Sequence, residues 1–288
     1  MKITVASGKG GTGKTTIATS LALSLVDPSP VWYLDCDVEA PNGHLLLKPD
    51  FTRQSQAVVQ IPQIQMDRCV LCAKCVEVCQ FHALAKVGKN ILVFPQLCHG
   101  CGSCTWNCPE GAIIEIPKPI GVLKTGITSE GIHFAHGVLN ISEPMPTPVI
   151  HQLKRFESPP EEAIVIIDAP PGASCAVVET LRGADFALLV IELTPFGLHD
   201  LKQMLGIVRE MGIPVGIVIN RDGISDNHVE KFLSENDLPI LLRIPYLRKL
   251  AEGIAAGIPL IQIMPEYRSD FQYLYEEITR RVNGGIHC

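Results

Sequence analysis

Two stretches of this chain could do chemistry, and they call for different ligands. Residues 8–15, GKGGTGKT, match the pattern GxxxxGK(S/T) between a strand-like and a helix-like segment, the context in which such a loop holds phosphate. Gly8, Gly10, Gly11 and Gly13 let backbone N–H groups converge on an anion, Lys14 neutralises the outer phosphates, and Thr15 offers its hydroxyl to Mg²⁺. Lys9, Thr12 and Thr16 belong to the same binding stretch. The second stretch is a pair of cysteine runs, Cys69, Cys72, Cys75 and Cys79, then Cys98, Cys101, Cys104 and Cys108, the last followed by Pro109. Both runs read CxxCxxCxxxC. Thiolates suit soft metal cores, and CxxC spacing lets one loop wrap three corners of a cluster. Structural zinc prefers separated CxxC pairs closing one tetrahedral site, a poorer match to eight ligands in two interlocked runs.

The bulk composition narrows the setting. The chain has 288 residues and a net charge of -6, from 24 Lys and Arg against 30 Asp and Glu. That surplus argues against a nucleic-acid backbone as partner, since phosphate neutralisation needs excess cations. No apolar run approaches the roughly 20 residues of a bilayer crossing. The N-terminal segment is too short in apolar residues for a signal-peptide core, so the expected compartment is cytoplasmic. In a cytosolic chain, 11 cysteines read as metal or redox ligands rather than disulfides.

The elements that must position these residues alternate. KITVA (2–6) reads as a strand, and KTTIATSLALSL as a helix with Ile17, Ala18, Leu21, Ala22 and Leu25 on one face, ended by DPSP (27–30). VWYLD (31–35) has the apolar run of a strand covered on both faces. Near residue 62 the rhythm stops and the cysteine runs begin. GVLKTGIT and IHFAHGVLNI are strand candidates within an extended segment at 118–150, and EPMPTP reads as a rigid linker. The βα rhythm returns with AIVIIDAPPG, FALLVIELTP and VGIVINRDG, with a helix over LHDLKQMLGIVREMG, a strand over PILLRIPY and a last helix over EYRSDFQYLYEEITRRV. The expectation is an α/β doubly wound, mostly parallel sheet in two parts, 1–62 and 118–288, interrupted by a cysteine module at 63–117.

KGGTGKT, with its early Lys9, resembles the deviant Walker A loop of the superfamily of MinD, ParA, Mrp and the nitrogenase iron protein. The resemblance implies that Lys9 reaches across a dimer interface to the partner's nucleotide and that a lone chain hydrolyses ATP poorly. YLDCDVEAPN (33–42) resembles switch I of that superfamily, with Asp37 positioning the attacking water or approaching Mg²⁺, and Asp35 on the same side of the strand. IVIIDAPPG (164–172) resembles switch II, with Asp168 at the metal. Asn220, with Asp222 as a weaker companion, resembles the residue at the adenine edge, and IPYLRKLAEGIAAGIPL resembles the segment beside the base.

The cysteine runs resemble a bacterial ferredoxin with two 4Fe–4S clusters, in which the fourth cysteine of each run serves the other cluster. By that resemblance Cys69, Cys72, Cys75 and Cys108 hold one cluster, and Cys98, Cys101, Cys104 and Cys79 the other. The first run ends CQF where the family usually has CP. His99 is read as a neighbour and Cys36 as buried filler. Cys175, seven residues after Asp168, is read as packing near the switch, with a place beside a dimer axis as the alternative; Cys288 is terminal.

Together these resemblances imply an ATP-dependent homodimer, or a heterodimer with a similar ATPase, that uses ATP and Mg²⁺ to control two 4Fe–4S clusters. Its protein partner would be a redox or metal-cofactor protein, served by electron transfer or cofactor assembly. One alternative is an Mrp-type cluster carrier, which this chain matches less well because no CxxC follows Cys108. Another is a MinD- or ParA-like spatial organiser, against which the acidic charge and the weakly apolar terminal helix both argue.

Overall fold

The computed structural model describes residues 1–26, 29–223 and 227–284; part of the DPSP terminator and Cys288 lie outside them. The first half runs β1 (Lys2–Ala6), α1 (Lys14–Ser24), β2 (Val31–Asp35), α2 (Gly43–Leu47) and β3 (Asp50–Ile64). The cysteine stretch carries α3 (Lys74–Glu77), β4 (Leu84–Val87), β5 (Asn90–Val93) and α4 (Ser103–Trp106). Then follow β6 (Ile113–Ile127), β7 (His133–Leu139), α5 (Thr147–Phe156), β8 (Ile164–Asp168), α6 (Cys175–Leu181), β9 (Phe186–Ile191) and α7 (Pro195–Glu210). β10 (Val215–Asp222), α8 (Asn227–Glu235), β11 (Ile240–Pro245), α9 (Arg248–Ala255), α10 (Leu260–Ile263) and α11 (Tyr267–Asn283) complete the fold.

One nine-stranded sheet orders these strands β11-β10-β9-β1-β8-β2-β7-β6-β3. Neighbours from β11 to β7 run parallel, whereas β6 is antiparallel to both β7 and β3. The central strands are buried on both faces, which is why they read as unbroken apolar runs rather than alternating ones. Ile3, Val5, Ile166 and Leu188 pack to one side with α1 and α11, and Ala6, Leu189 and Ile191 pack to the other with Leu201 and Leu205 of α7. Among the described residues no helix is long and apolar enough to cross a membrane.

α1 departs from its expected single apolar face. Thr16, Thr19, Ser20 and Ser24 are buried along with the leucines, because α10 and α11 cover the side turned away from the sheet. Two of these hydroxyls bond the helix's own carbonyls: Thr19 Oγ1 donates to Thr15 O (2.7 Å) and Ser24 Oγ to Leu21 O (2.7 Å), whereas Ser20 Oγ is buried without a partner.

β3 and β6 form a long antiparallel pair, from Asp50 opposite Ile127 to Ile64 opposite Ile113. The expected module limits at 62/63 and 117/118 fall inside these two strands. The pair therefore begins in the sheet and ends in the cysteine stretch, with no flexible linker between. The first seven residues of β3, DFTRQSQ, are all exposed, so polarity concealed a strand there. At the irregularity between Ala57 and Val58 the chain edge is closed by Gln152 of α5, which accepts from Val58 N (3.1 Å) and donates to Val58 O (3.0 Å). The expected linker EPMPTP gives way to α5 at Thr147, where Pro148 sits in the first turn, a position that needs no N–H donor.

Candidate nucleotide site and cysteine module

Every sequence-predicted nucleotide residue lies along the carboxyl edge of the sheet, where open α/β folds bind ligands. The glycine loop follows β1, Asp35 and Asp168 end β2 and β8, and Asn220 lies near the end of β10. Gly13 has φ +91, and a Cβ there would collide with Asn220 Nδ2. That close approach lets Asn220 Nδ2 donate to Thr12 O (2.7 Å). Asn220 thus braces the glycine loop as well as lining the cleft beside it.

Three carboxylates stand around Lys14. Asp35 is fully buried and accepts N–H bonds from Asp37 (3.2 Å), Asn42 (3.1 Å) and Gly43 (2.9 Å). It therefore pins the backbone of residues 37–43 rather than facing a ligand. Burial first, and then the Asp168 charge, hold its carboxyl well above the usual carboxylate range. Asp168 is pushed up to about 6 by burial, against the opposing effects of the Thr15 hydroxyl, Lys14 and Tyr33. Tyr33 Oη donates to Asp168 Oδ2 (3.1 Å), while Oδ1 is buried with no partner. An orphaned carboxylate oxygen beside Thr15 is the donor set a hard cation such as Mg²⁺ needs, so these residues fit the metal that accompanies a nucleotide. Asp37 is raised by burial and lowered by Lys14. Lys14 itself is pulled below the ordinary lysine value by burial, against the pull of Asp168, Asp37 and Asp35.

A mostly apolar cleft opens beside the loop, lined by Gly13, Thr16, Asn220, Pro245, Tyr246 and Leu250 among others. Its walls suit a planar base, and the segment expected beside the base supplies most of them. Asp222 takes no part in the lining; its carboxylate pairs with Arg243 (3.1 Å). Lys9 Nζ sits 3.2 Å from Glu192 Oε2 of the same chain, and Arg221 Nη1 lies 2.6 Å from Glu192 Oε1. Sequence reasoning missed Tyr33 and Glu192. Both lie within or beside apolar strand runs, where a polar atom at the sheet's carboxyl end is the only signal. Cys175 is exposed at the start of α6, and Cys36 is fully buried.

The cysteine stretch is a repeat with an offset of 29 positions. Cys69, Cys72, Cys75 and Cys79 map onto Cys98, Cys101, Cys104 and Cys108, and α3 maps onto α4. Backbone geometry follows: Leu71, Ala73 and His82 have positive φ (58, 63 and 52), as do Gly100, Gly102 and Gly111 (65, 72 and 55). Ala83 N donates to Cys79 Sγ and Ala112 N to Cys108 Sγ, both at 3.3 Å.

Two pockets lie in this module. Cys69, Cys72, Cys75 and Cys108 line one; Cys79, Cys98, Cys101 and Cys104 line the other. Each cavity thus takes three thiols from one run and the last from the other. Among the described residues no three His, Cys, Asp or Glu side chains converge as a single-ion site requires. A cubane makes a different demand, since each thiolate meets its own iron. His99 stacks on Phe81 (3.6 Å between ring centres) at the second cavity. The donor set, its grouping by fours and the N–H bonds to sulfur all fit iron–sulfur clusters.

An aromatic contact links α2 to the first residues of β3. His44 of α2, just after the switch I segment, meets the His136 ring edge-on (5.4 Å), and Phe51 of β3 stacks on His136 (5.0 Å). Both ring nitrogens of His136 are buried without partners, and burial, followed by the His44 and Lys124 charges, pushes its pKa down to about 4.

Comparison with known proteins bears on the fold and the family. A Methanocaldococcus jannaschii protein of uncharacterized activity is 29% identical over 286 residues, covering 99% of this chain and 98% of that protein. The iron-sulfur cluster carrier protein of Synechocystis is 25% identical over 285 residues, 93% of this chain and 66% of its own length. Among solved structures, the septum site-determining protein MinD of Pyrococcus horikoshii, complexed with Mg-ADP, aligns with a TM-score of 0.57 and 19% identity, covering 96% of this chain and 95% of MinD. The model of the CobQ/CobB/MinD/ParA nucleotide-binding domain matches residues 3–260, so the chain is a member of that family, with a P-loop α/β nucleotide-binding fold.

Proposed function

We propose that the protein is an ATP-dependent dimeric switch whose nucleotide state governs two 4Fe–4S clusters, for electron transfer to, or metal-cofactor assembly on, a protein partner. The observation that carries this reading is the division of eight thiols into two four-cysteine cavities on strands β3 and β6, which are rooted in the sheet beside switch I. Lys14 and the loop N–H groups grip the phosphates, Thr15 and Asp168 hold Mg²⁺, and Asp37 orients the attacking water. Lys9 reaches the nucleotide of the second chain. Asp35 fixes the backbone at Asn42 and Gly43, so motion of switch I draws on α2, and through His44, His136 and Phe51 on β3. When bound, the clusters supply one-electron chemistry; the thiols and their N–H donors tune it.

Anaerobic purification with iron and sulfide counts, then EPR-monitored redox titration with ATP, with ADP and without nucleotide, tests the reading. About eight irons per chain and a titration displaced by ATP but not ADP are expected. Superimposed titrations would reject the coupling, and an iron count near zero would reject the clusters.

A second reading is a cluster carrier. Similarity to the Synechocystis carrier protein and the exposure of Cys72 and Cys101 favour it. Fast, complete cluster loss to an apo-acceptor, independent of nucleotide, would select it over the switch.

A further inference from the structure

The resting position of Lys9 is built rather than incidental. Ser7 Oγ donates to Lys9 O (2.7 Å), fixing the loop backbone, and Thr194 N donates to Glu192 O (2.8 Å), fixing the residue that follows β9. Between these anchors the Glu192 carboxylate bridges two cations, with Oε2 toward Lys9 (3.2 Å) and Oε1 toward Arg221 (2.6 Å). The Glu192 side chain is only 13% exposed and that of Lys9 34%, so the pair is shielded more than an ordinary surface bridge. Lys9 cannot hold Glu192 and a second chain's phosphate together. Arg221 keeps the carboxylate aimed when Lys9 departs.

We propose that Glu192 is a positioning residue that retains Lys9 within its own chain, setting the ATP concentration at which two chains associate. This rests on the reading that Lys9 acts across a dimer. Each chain must surrender its Lys9, so the effect counts twice per dimer. A half-shielded ion pair corresponds to about threefold per chain and hence about tenfold per dimer.

Sedimentation velocity of the holoprotein over an ATP and Mg²⁺ series tests it, with wild type, Glu192→Gln, Glu192→Asp, Lys9→Ala and the Lys9→Ala/Glu192→Gln double variant. Glu192→Gln should lower the midpoint for dimer formation about tenfold, and Glu192→Asp, which keeps the charge, should restore it toward wild type. The double variant should match Lys9→Ala, with no dimer. A Glu192→Gln midpoint equal to or above wild type, while Lys9→Ala abolishes the dimer, overturns the retention role alone. So does a gain that persists in the double variant. Normal dimerisation of Lys9→Ala overturns the underlying reading of Lys9, and the retention role with it.

Discussion

The nucleotide site joins Thr12 to Asn220 across 208 positions of chain, whereas the cysteine module takes all eight thiols from residues 69–108. In the first region, atoms meet because parallel strands bring distant ends to one edge. Asp35 and Asp168 face each other directly in the β2–β8 register, so the placement of two buried carboxylates depends on sheet pairing. In the second, the 29-residue repeat and its positive-φ positions place the thiols, and the β3–β6 pair ties them to the sheet. One site depends on topology and the other on local spacing. Damage to either should therefore stay local.

The largest effect should come from breaking the crossed grouping of thiols. Cys79→Ala should empty the cavity it shares with Cys98, Cys101 and Cys104, lowering iron from about eight to about four per chain. Adding Cys101→Ala should remove no more, while adding Cys72→Ala should remove nearly all. If each run held its own cluster, the two doubles would exchange results. Iron counts on the three variants decide the matter, and binding of a fluorescent ATP analogue should be unchanged in all of them.

Next comes the buried charge of the nucleotide site. Asp168 has its carboxyl raised from 3.8 to about 6, so folding favours the neutral form. Its stabilising contribution is present in full below about pH 4 and is lost as pH rises through 6. Asp168→Asn should then stabilise the nucleotide-free, metal-free protein by about 1–3 kcal/mol at pH 8 and by almost nothing at pH 4. The same variant should lose the stabilisation that Mg²⁺-ATP gives wild type. Thermal unfolding across pH would expose the error if the variant were less stable throughout.

Much of this was legible beforehand, for physical reasons that differ by region. The strands that became β1, β2, β8, β9 and β10 are short apolar runs because both their faces are covered. The glycine loop between strand and helix announced its ligand. The four-by-four thiol grouping was anticipated only through resemblance to a two-cluster ferredoxin, and the lining of the two cavities follows it. The polar start of β3 and the helical start of α5 were illegible, because exposed DFTRQSQ carries no burial pattern and EPMPTP suggests a linker until Val149, Ile150 and Leu153 find a core. Glu192, Tyr33 and the pairing of His44 with His136 depend on strands meeting from far along the chain. No local pattern encodes them.

The aromatic contact between α2 and β3 gives a smaller effect. His136 has its pKa lowered from 6.5 to about 4, so its burial stabilises the fold above pH 6.5 and that contribution is lost as pH falls toward 4. With Phe51, Phe134 and His44 packed around it and Lys124 as the neighbouring charge, His136→Phe removes a group that must stay unprotonated. The variant should lose about 1–2 kcal/mol less than wild type between pH 7 and pH 5. Equal losses in urea unfolding at the two pH values would remove His136 as the source of acid sensitivity.

The smallest effect separates the two halves of the repeat from each other. Gly102 and Ala73 occupy matched positions with φ of 72 and 63, a region that costs an L-residue roughly 1 kcal/mol and glycine nothing. Ala73→Gly relieves that strain but also enlarges the unfolded ensemble, so a gain of only about 0.5 kcal/mol is expected. Gly102→Ala incurs the strain, and its new Cβ meets Glu115 Oε1 at 3.1 Å, the end of a side chain able to move; a loss of about 1 kcal/mol follows. If the two turns are independent, the double variant should fall at the sum of the singles, because each substitution strains or relaxes a different turn. A coupling beyond about 0.5 kcal/mol would mean that the two halves share strain through the β3–β6 pair. The module would then act as one mechanical unit, better suited to feeling a movement of the sheet than two independent turns would be.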